Sequence, residues 1–176
     1  LDAMDRIKDT ASSHEQAFLI EFMGKTGHLT LMAAMAGGAE VLCLPEVPFT
    51  LAQVAADVAN AYVRGKRHCL VAVAAGARPP AAEIARYLEA RRQETGFAVR
   101  LTLLGHIQRG GAPTAADRLL ATRLGAEAVD LLHAGRAGLM VGVVNGELRT
   151  TPLGEVAGCT RPLDQSDLAL AQMLAR

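Results

Sequence analysis

The stretch Leu104-Gly105-His106-Ile107-Gln108-Arg109-Gly110-Gly111 sets an imidazole and a guanidinium close together between glycines. Arg presents a planar fork of donors that suits a phosphate. Glycine lets the backbone turn sharply and approach a ligand closely. Open α/β sheets seat their ligands at the carboxyl ends of strands. Ala98 to Leu104 reads as such a strand, and Thr114 to Leu132 as the helix that follows. Position and chemistry together describe an anion-binding loop. On the residues alone a blander reading stands beside it, with Arg109 bonded to loop carbonyls and His106 packed on a helix.

Two further groups carry charge where chemistry could use it. Met23-Gly24-Lys25 follows a strand ending at Phe22, and a cation there could stabilise charge on a transferring phosphoryl group. A surface lysine in a turn is the alternative reading. Arg64-Gly65-Lys66-Arg67-His68 gathers three cations and a histidine between a helix end and a strand. Such a cluster also suits the negative end of a helix dipole with no ligand present. Asp117, Arg118 and Arg123 read as a helix face with charge pairs. His14, His28 and His133 lack metal-ligand spacing, and no Walker loop, Gly-x-Ser-x-Gly or Gly-x-Gly-x-x-Gly pattern occurs.

The elements that must position these residues alternate. Leu1 to about His14 is expected as an amphipathic helix, Ala17 to Phe22 as a strand, His28 to Met35 as a helix stopped by Gly37-Gly38. Val41 to Leu44 is a strand ended by Pro45. Thr50 caps a helix from Leu51 to Arg64 that Gly65 terminates. Cys69 to Ala74 is a continuous apolar strand of the doubly covered kind. Pro79-Pro80 opens a helix reaching about Glu94, closed by Gly96. Leu139 to Val144 is a last strong strand, Asn145-Gly146 a turn signal, and Leu163 to Ala175 a helix begun by Asp164. Strand and helix taking turns in this way predict an α/β fold, a largely parallel sheet flanked by helices.

The chain has 176 residues, 51% hydrophobic and 20% charged, with zero formal net charge. That balance suits a globular domain with a real core and lacks the basic excess of nucleic-acid and membrane-surface proteins. No apolar run reaches the roughly 18 residues of a membrane span. Aromatics are scarce and Trp is absent, so Ala, Leu and Val must fill the interior. Cys43, Cys69 and Cys159 are odd in number and widely spaced, and read as free thiols. A cytoplasmic location is the default expectation. The opening Leu1-Asp2-Ala3-Met4-Asp5-Arg6 is already helical rather than a signal peptide, which suggests a chain beginning within a longer protein.

The His106–Arg109 loop, Phe22-Met23-Gly24-Lys25 and Met35-Ala36-Gly37-Gly38-Ala39-Glu40 resemble, in order and near spacing, segments of the phosphofructokinase family. The resemblance runs from about Leu1 to about Pro162 and covers only the carboxyl-terminal half of such an enzyme. It implies that residues 1–107 form a sugar-phosphate domain. Residues 108–158 would return to a nucleotide-binding domain, and 159–176 would close as a terminal helix on the first. It implies that Met23, Gly24, Lys25, His106 and Arg109 bind fructose 6-phosphate, with Lys25 as the catalytic cation and Arg100 reaching the phosphate from a neighbouring subunit. Lys8, Gly38, Glu40, Arg64, Lys66 and His68 would form an allosteric nucleotide site, with Glu40 holding its Mg²⁺. ATP is the implied phosphoryl donor in glycolysis, and a homo-oligomer, a tetramer, the implied assembly.

Departures accompany the resemblance. Lys25 stands where the family usually has Arg, Gln16 where an Arg crosses the subunit interface, and Ala75 where a Glu accepts a sugar hydroxyl. One residue is missing after Lys25. Each charged hydrogen bond lost should weaken sugar-phosphate binding by about 1–3 kcal/mol. The family's nucleotide glycine loop and catalytic aspartate belong to the other half. The expected activity is therefore that of a complete 6-phosphofructokinase. A non-catalytic regulatory subunit or a pyrophosphate-dependent enzyme are the rivals.

Overall fold

The computed structural model describes residues 1–11 and 15–175, so the expected helix end at His14 lies outside them. The chain divides into two compact units. One comprises Leu1–Arg109 with the terminal stretch from Leu163, the other Gly110–Pro162.

The larger unit is built on a four-stranded sheet. Its strands are β1 (Gln16–Phe22), β2 (Val41–Cys43), β3 (His68–Ala74) and β4 (Ala98–Leu103). They lie in the order β2-β3-β1-β4, and every neighbouring pair is parallel. Parallel sheets need cover on both faces, and side-chain alternation divides the strand residues between them. Ala17, Leu19, Cys69, Val71 and Val73 point into one apolar cluster. There they meet Val54, Val58 and Ala61 of α3 (Leu51–Val63), and Ala81, Ile84 and Leu88 of α4 (Ala81–Glu89). Phe18, Ile20, Phe22, Leu70 and Ala72 point into the other. Their partners are Met4 of α1 (Asp2–Ala11) and Ala33 and Ala34 of α2 (His28–Gly37).

Small residues permit this packing. A Cβ on Gly37 would lie 2.6 Å from the Met4 methyl, so the Met4 side chain packs in the space that the glycine leaves open. Thr50 caps α3 reciprocally with Gln53. The helix expected from Pro79 to Glu94 is interrupted. α4 ends at Glu89, Arg91 leaves helical geometry at φ −114° and ψ 23°, and a single turn, α5 (Arg92–Thr95), follows before Gly96. The Arg91 guanidinium lies 3.7 Å from the Tyr87 ring centroid, a cation–π contact bridging the break.

The smaller unit holds α6 (Ala115–His133) and an antiparallel hairpin of β5 (Leu139–Val144) and β6 (Glu147–Pro152). A short turn, α7 (Leu153–Val156), follows. Asn145 and Gly146 both take positive φ, 54° and 82°, as a two-residue hairpin turn of this hand requires. β6 and α7 are absent from the sequence expectation. Among the described residues β5 pairs only with β6, and not with the parallel sheet. The charge pairs expected of Asp117, Arg118 and Arg123 do not form. Asp117 closes a capping box with Thr114, while the two arginines donate to the carbonyls of Pro113 and Gly146. The last helix, α8 (Gln165–Leu174), belongs to the larger unit and is capped by Asp164.

Candidate functional site

Parallel pairing brings the carboxyl ends of β1, β3 and β4 to one edge of the sheet, with Phe22 opposite Ala74 and Glu21 opposite Leu103. Three connections leave from there. Beyond β1, Met23 to Gly27 leads into α2. Beyond β3, the Ala75 amide donates to the Phe22 carbonyl at 2.8 Å and the Gly76 amide to the Gly24 carbonyl at 3.1 Å. Any Cβ on Gly76 would collide with the Lys25 carbonyl, so the Met23–Gly27 loop rests directly on that glycine. Beyond β4, Gly105–Arg109 forms a 3-10 turn.

That turn and the Met23 loop are joined. The Gln108 side-chain oxygen accepts from the Met23 amide at 2.6 Å, and Arg109 Nε donates to the Met23 sulfur at 3.1 Å. His106, Arg109 and Lys25 are exposed at this end of the sheet. Arg109 therefore bonds no loop carbonyl and His106 is not packed away, as the blander reading required. Among the described residues no carboxylate lies within ion-pair distance of Lys25 or Arg109. The result is a polar rim with uncompensated cations, chemistry suited to an anion. Arg100 lies in mid-β4, exposed, its guanidinium donating to the neighbouring Val99 carbonyl at 3.4 Å. No hydrogen bond joins it to His106 or Arg109. Ala75 offers only a methyl group beside the loop. Gln108 and Gly76 are the contributors that sequence reasoning missed, though Gln108 lies inside the motif itself.

A second site lies elsewhere in the same unit. Lys8, Gly38, Glu40, Lys66 and His68 line one open recess of about 640 Å³, together with Met35, Arg67 and Leu174. Gly38 caps α2 in the left-handed region at φ 68°, and Lys8 Nζ donates to the Gly37 carbonyl at 3.1 Å. Glu40 is buried. Its Oε1 accepts from Lys66 Nζ at 2.8 Å and its Oε2 from the Leu70 amide at 2.7 Å. The His68 Nδ1 atom is buried without a partner. Arg64 lines a neighbouring cavity of about 340 Å³ with Asp57, Asn60 and Leu168, and Glu40 forms part of both walls. Arg64 Nη2 donates to the Ala175 carbonyl at 3.3 Å.

Burial governs the titrating groups nearby. It pushes the Cys43 thiol up to about 12, with the Asp57 charge adding to the effect. Cys69 is driven higher still by burial first and the Glu40 carboxylate second. Both thiols are therefore inert as nucleophiles at neutral pH. Burial also raises Asp57, against the opposing charge of Arg64. Among the described residues no group of three His, Cys, Asp or Glu side chains could hold a metal ion. Glu40 alone does not make a magnesium site. Mg²⁺ fits here only as the counter-ion of phosphates that bring their own oxygens. Among the described residues no helix is long and apolar enough to cross a membrane.

The sequence profile of the phosphofructokinase family matches residues 1–132. The chain belongs to the phosphofructokinase family. The ATP-dependent 6-phosphofructokinase 1 of Thermus thermophilus is 48% identical over 176 residues, 99% of this chain and 54% of that protein. The ATP-dependent 6-phosphofructokinase of Shouchella clausii is 43% identical over the same shares of the two chains. The chain thus spans about half the length of the curated relatives it matches. Phosphofructokinase from Saccharomyces cerevisiae shares the fold, with a TM-score of 0.76 at 29% sequence identity over 99% of this chain and 25% of that one.

Proposed function

We propose that this chain is the carboxyl-terminal half of an ATP-dependent 6-phosphofructokinase, supplying its sugar-phosphate clamp and an effector site. The observation that carries the reading is the junction of Met23 with Gln108 and Arg109, beside exposed Lys25 and His106. In this reading the His106 and Arg109 side chains grip the 6-phosphate of fructose 6-phosphate, Arg109 by charge-assisted bonds and His106 as a further donor. Met23 and Gly24 present backbone to the sugar. Lys25 supplies positive charge toward the phosphoryl group passing from ATP to the 1-hydroxyl. Arg100, exposed on an outer strand, is available to a neighbouring subunit in a homo-oligomer. The nucleotide loop and the proton-accepting aspartate would come from the other half of the protein.

The recess lined by Lys8, Gly38, Glu40, Lys66 and His68 is assigned to a nucleotide effector. The Lys66 ammonium and the His68 ring would lie beside its phosphates, and Glu40 would supply a carboxylate oxygen to the accompanying Mg²⁺. Arg64 takes part across the shared Glu40 wall. The Gly110–Pro162 unit is assigned to the nucleotide-binding domain, which its exposed apolar residues suit. A cytoplasmic location follows from a glycolytic role.

Titration of the complete gene product with fructose 6-phosphate tests the reading. Micromolar to millimolar binding is expected, weakened in Arg109→Ala by about 1–3 kcal/mol with melting temperature retained. Absence of binding at millimolar sugar phosphate would reject it. A non-catalytic regulatory role is the second reading, favoured by the methyl of Ala75 where an acceptor is wanted. Turnover assayed with ATP and with pyrophosphate side by side separates the possibilities, because a regulatory subunit turns over neither.

A further inference from the structure

The Met23–Gly27 loop is anchored at one end by Gln108 and along its middle by Gly76. Its other end is held by a residue with no place in any motif. The Gly27 amide donates to both carboxylate oxygens of Glu46, at 2.8 and 3.0 Å. Gly27 is the N-cap of α2, lies at φ −81° and ψ −4°, and has no side chain to cap the helix itself. The first amides of a helix need acceptors, and a carboxylate there also answers the positive end of the dipole. Glu46 does both from 19 residues away along the chain. The fit is close, since a Cβ on Gly27 would stand 2.6 Å from Glu46 Oε2 and 3.1 Å from a Leu44 methyl.

We infer that Glu46 is a positioning residue for sugar-phosphate binding. It fixes the α2 end of the loop and thereby the placement of Lys25, which among the described residues has no ion-pair partner to hold it. The inference rests on the reading of the Met23–Gly27 loop as part of the sugar-phosphate pocket. Small displacements of a positioned group can lower rates by up to about a hundredfold, so a loosened loop has measurable consequences even though Glu46 touches no substrate.

The experiment compares Glu46→Ala, Glu46→Gln, Gly27→Ala and Arg109→Ala in the complete gene product. Readouts are fructose 6-phosphate KM, ATP KM, melting temperature and exchange of the Gly27 amide. Glu46→Ala is expected to raise the sugar-phosphate KM about tenfold, to leave the ATP KM unchanged and to speed exchange at Gly27. Glu46→Gln keeps one acceptor and should fall between. Gly27→Ala displaces the carboxylate by sterics alone and should reproduce the Glu46→Ala KM. It keeps the test alive should Glu46→Ala fold poorly. A lowered melting temperature with unchanged sugar-phosphate KM in these variants overturns the inference. If Arg109→Ala raises that KM while the Glu46 and Gly27 variants do not, the pocket stands and only the role of Glu46 falls. If none of them moves it, the pocket reading falls, and this inference with it.

Discussion

Two apolar strands of this chain meet different fates. In β3 every side chain from Cys69 to Ala74 is at most 1% exposed, whereas in β5 Met140 is 41% and Val144 55% exposed. In sequence the first reads as covered on both faces and the second as a strong strand. The first is covered by helices on each side within its own unit. The second has one polar hairpin partner, and a two-stranded hairpin is marginal alone. α6 tells the same story, with Leu131 its only buried residue and Leu119, Val129 and Leu132 open. The larger unit is a finished core. The smaller holds together by local devices, a cap and a turn, and its apolar surface calls for a complement.

The sharpest test is one truncation in each unit. Phe97 is fully buried and meets Tyr62 edge-on, ring centroids 5.2 Å apart. Phe97→Ala should destabilise by about 3–5 kcal/mol. Leu119→Ala, at an exposed position, should stay within about 0.5 kcal/mol in this chain. Urea unfolding of both variants measures the gap. Equal losses would break the comparison, because Leu119 would then have to be part of a core.

The larger unit is also finished in its polar parts, and Lys66→Ala tests that. The Glu40 side chain is only 7% exposed, so losing the ammonium leaves Oε1 without that partner while Oε2 keeps the Leu70 amide. A destabilisation of about 1–3 kcal/mol is expected, seen by thermal unfolding, with effector response changed more than sugar-phosphate affinity. An unaltered melting temperature would mean that water replaces the ammonium at no loss, and that Glu40 is less enclosed than the geometry indicates.

How much of this could be read beforehand follows from where each signal resides. The sheet was legible because β1 and β3 carry unbroken apolar runs, Ala17 to Ile20 and Cys69 to Ala74, as strands covered on both faces do, and because glycines and threonines mark the helix ends. The break between α4 and α5 was not, since Ala90-Arg91-Arg92 contains no breaker and departs from the helix at Arg91. β6 was hidden because Glu147-Leu148-Arg149-Thr150-Thr151-Pro152 is too polar to announce a strand, although Asn145-Gly146 announced its turn. At the sites, contiguous motifs carried His106, Arg109 and Lys25. The groups around them did not follow. Leu174 reaches the Lys66 recess from the far end of the chain, and Glu46 holds Gly27 by an isolated carboxylate no spacing would single out. Tertiary partners of a loop leave little trace in local pattern.

The smallest effect probes the local devices of the lesser unit. Asp117 accepts from the Thr114 hydroxyl at 2.7 Å and the Thr114 amide at 2.8 Å, while the Asp117 amide donates back to the Thr114 oxygen at 3.2 Å. Those hydrogen bonds favour the charged form and draw the carboxyl below its ordinary 3.8. The folded group thus binds its proton less readily than the unfolded one. Its contribution is present above pH 3.8 and is lost as acid carries the pH down through the depressed folded value. Amide exchange in the first turn of α6 should accelerate over that acid range while β3 amides stay protected. Asp117→Asn should remove the pH dependence there, leaving a weaker cap at every pH. If the first turn of α6 is as acid-resistant as β3, then something other than this cap holds it, and the smaller unit is less dependent on local bonds than its exposed surface implies.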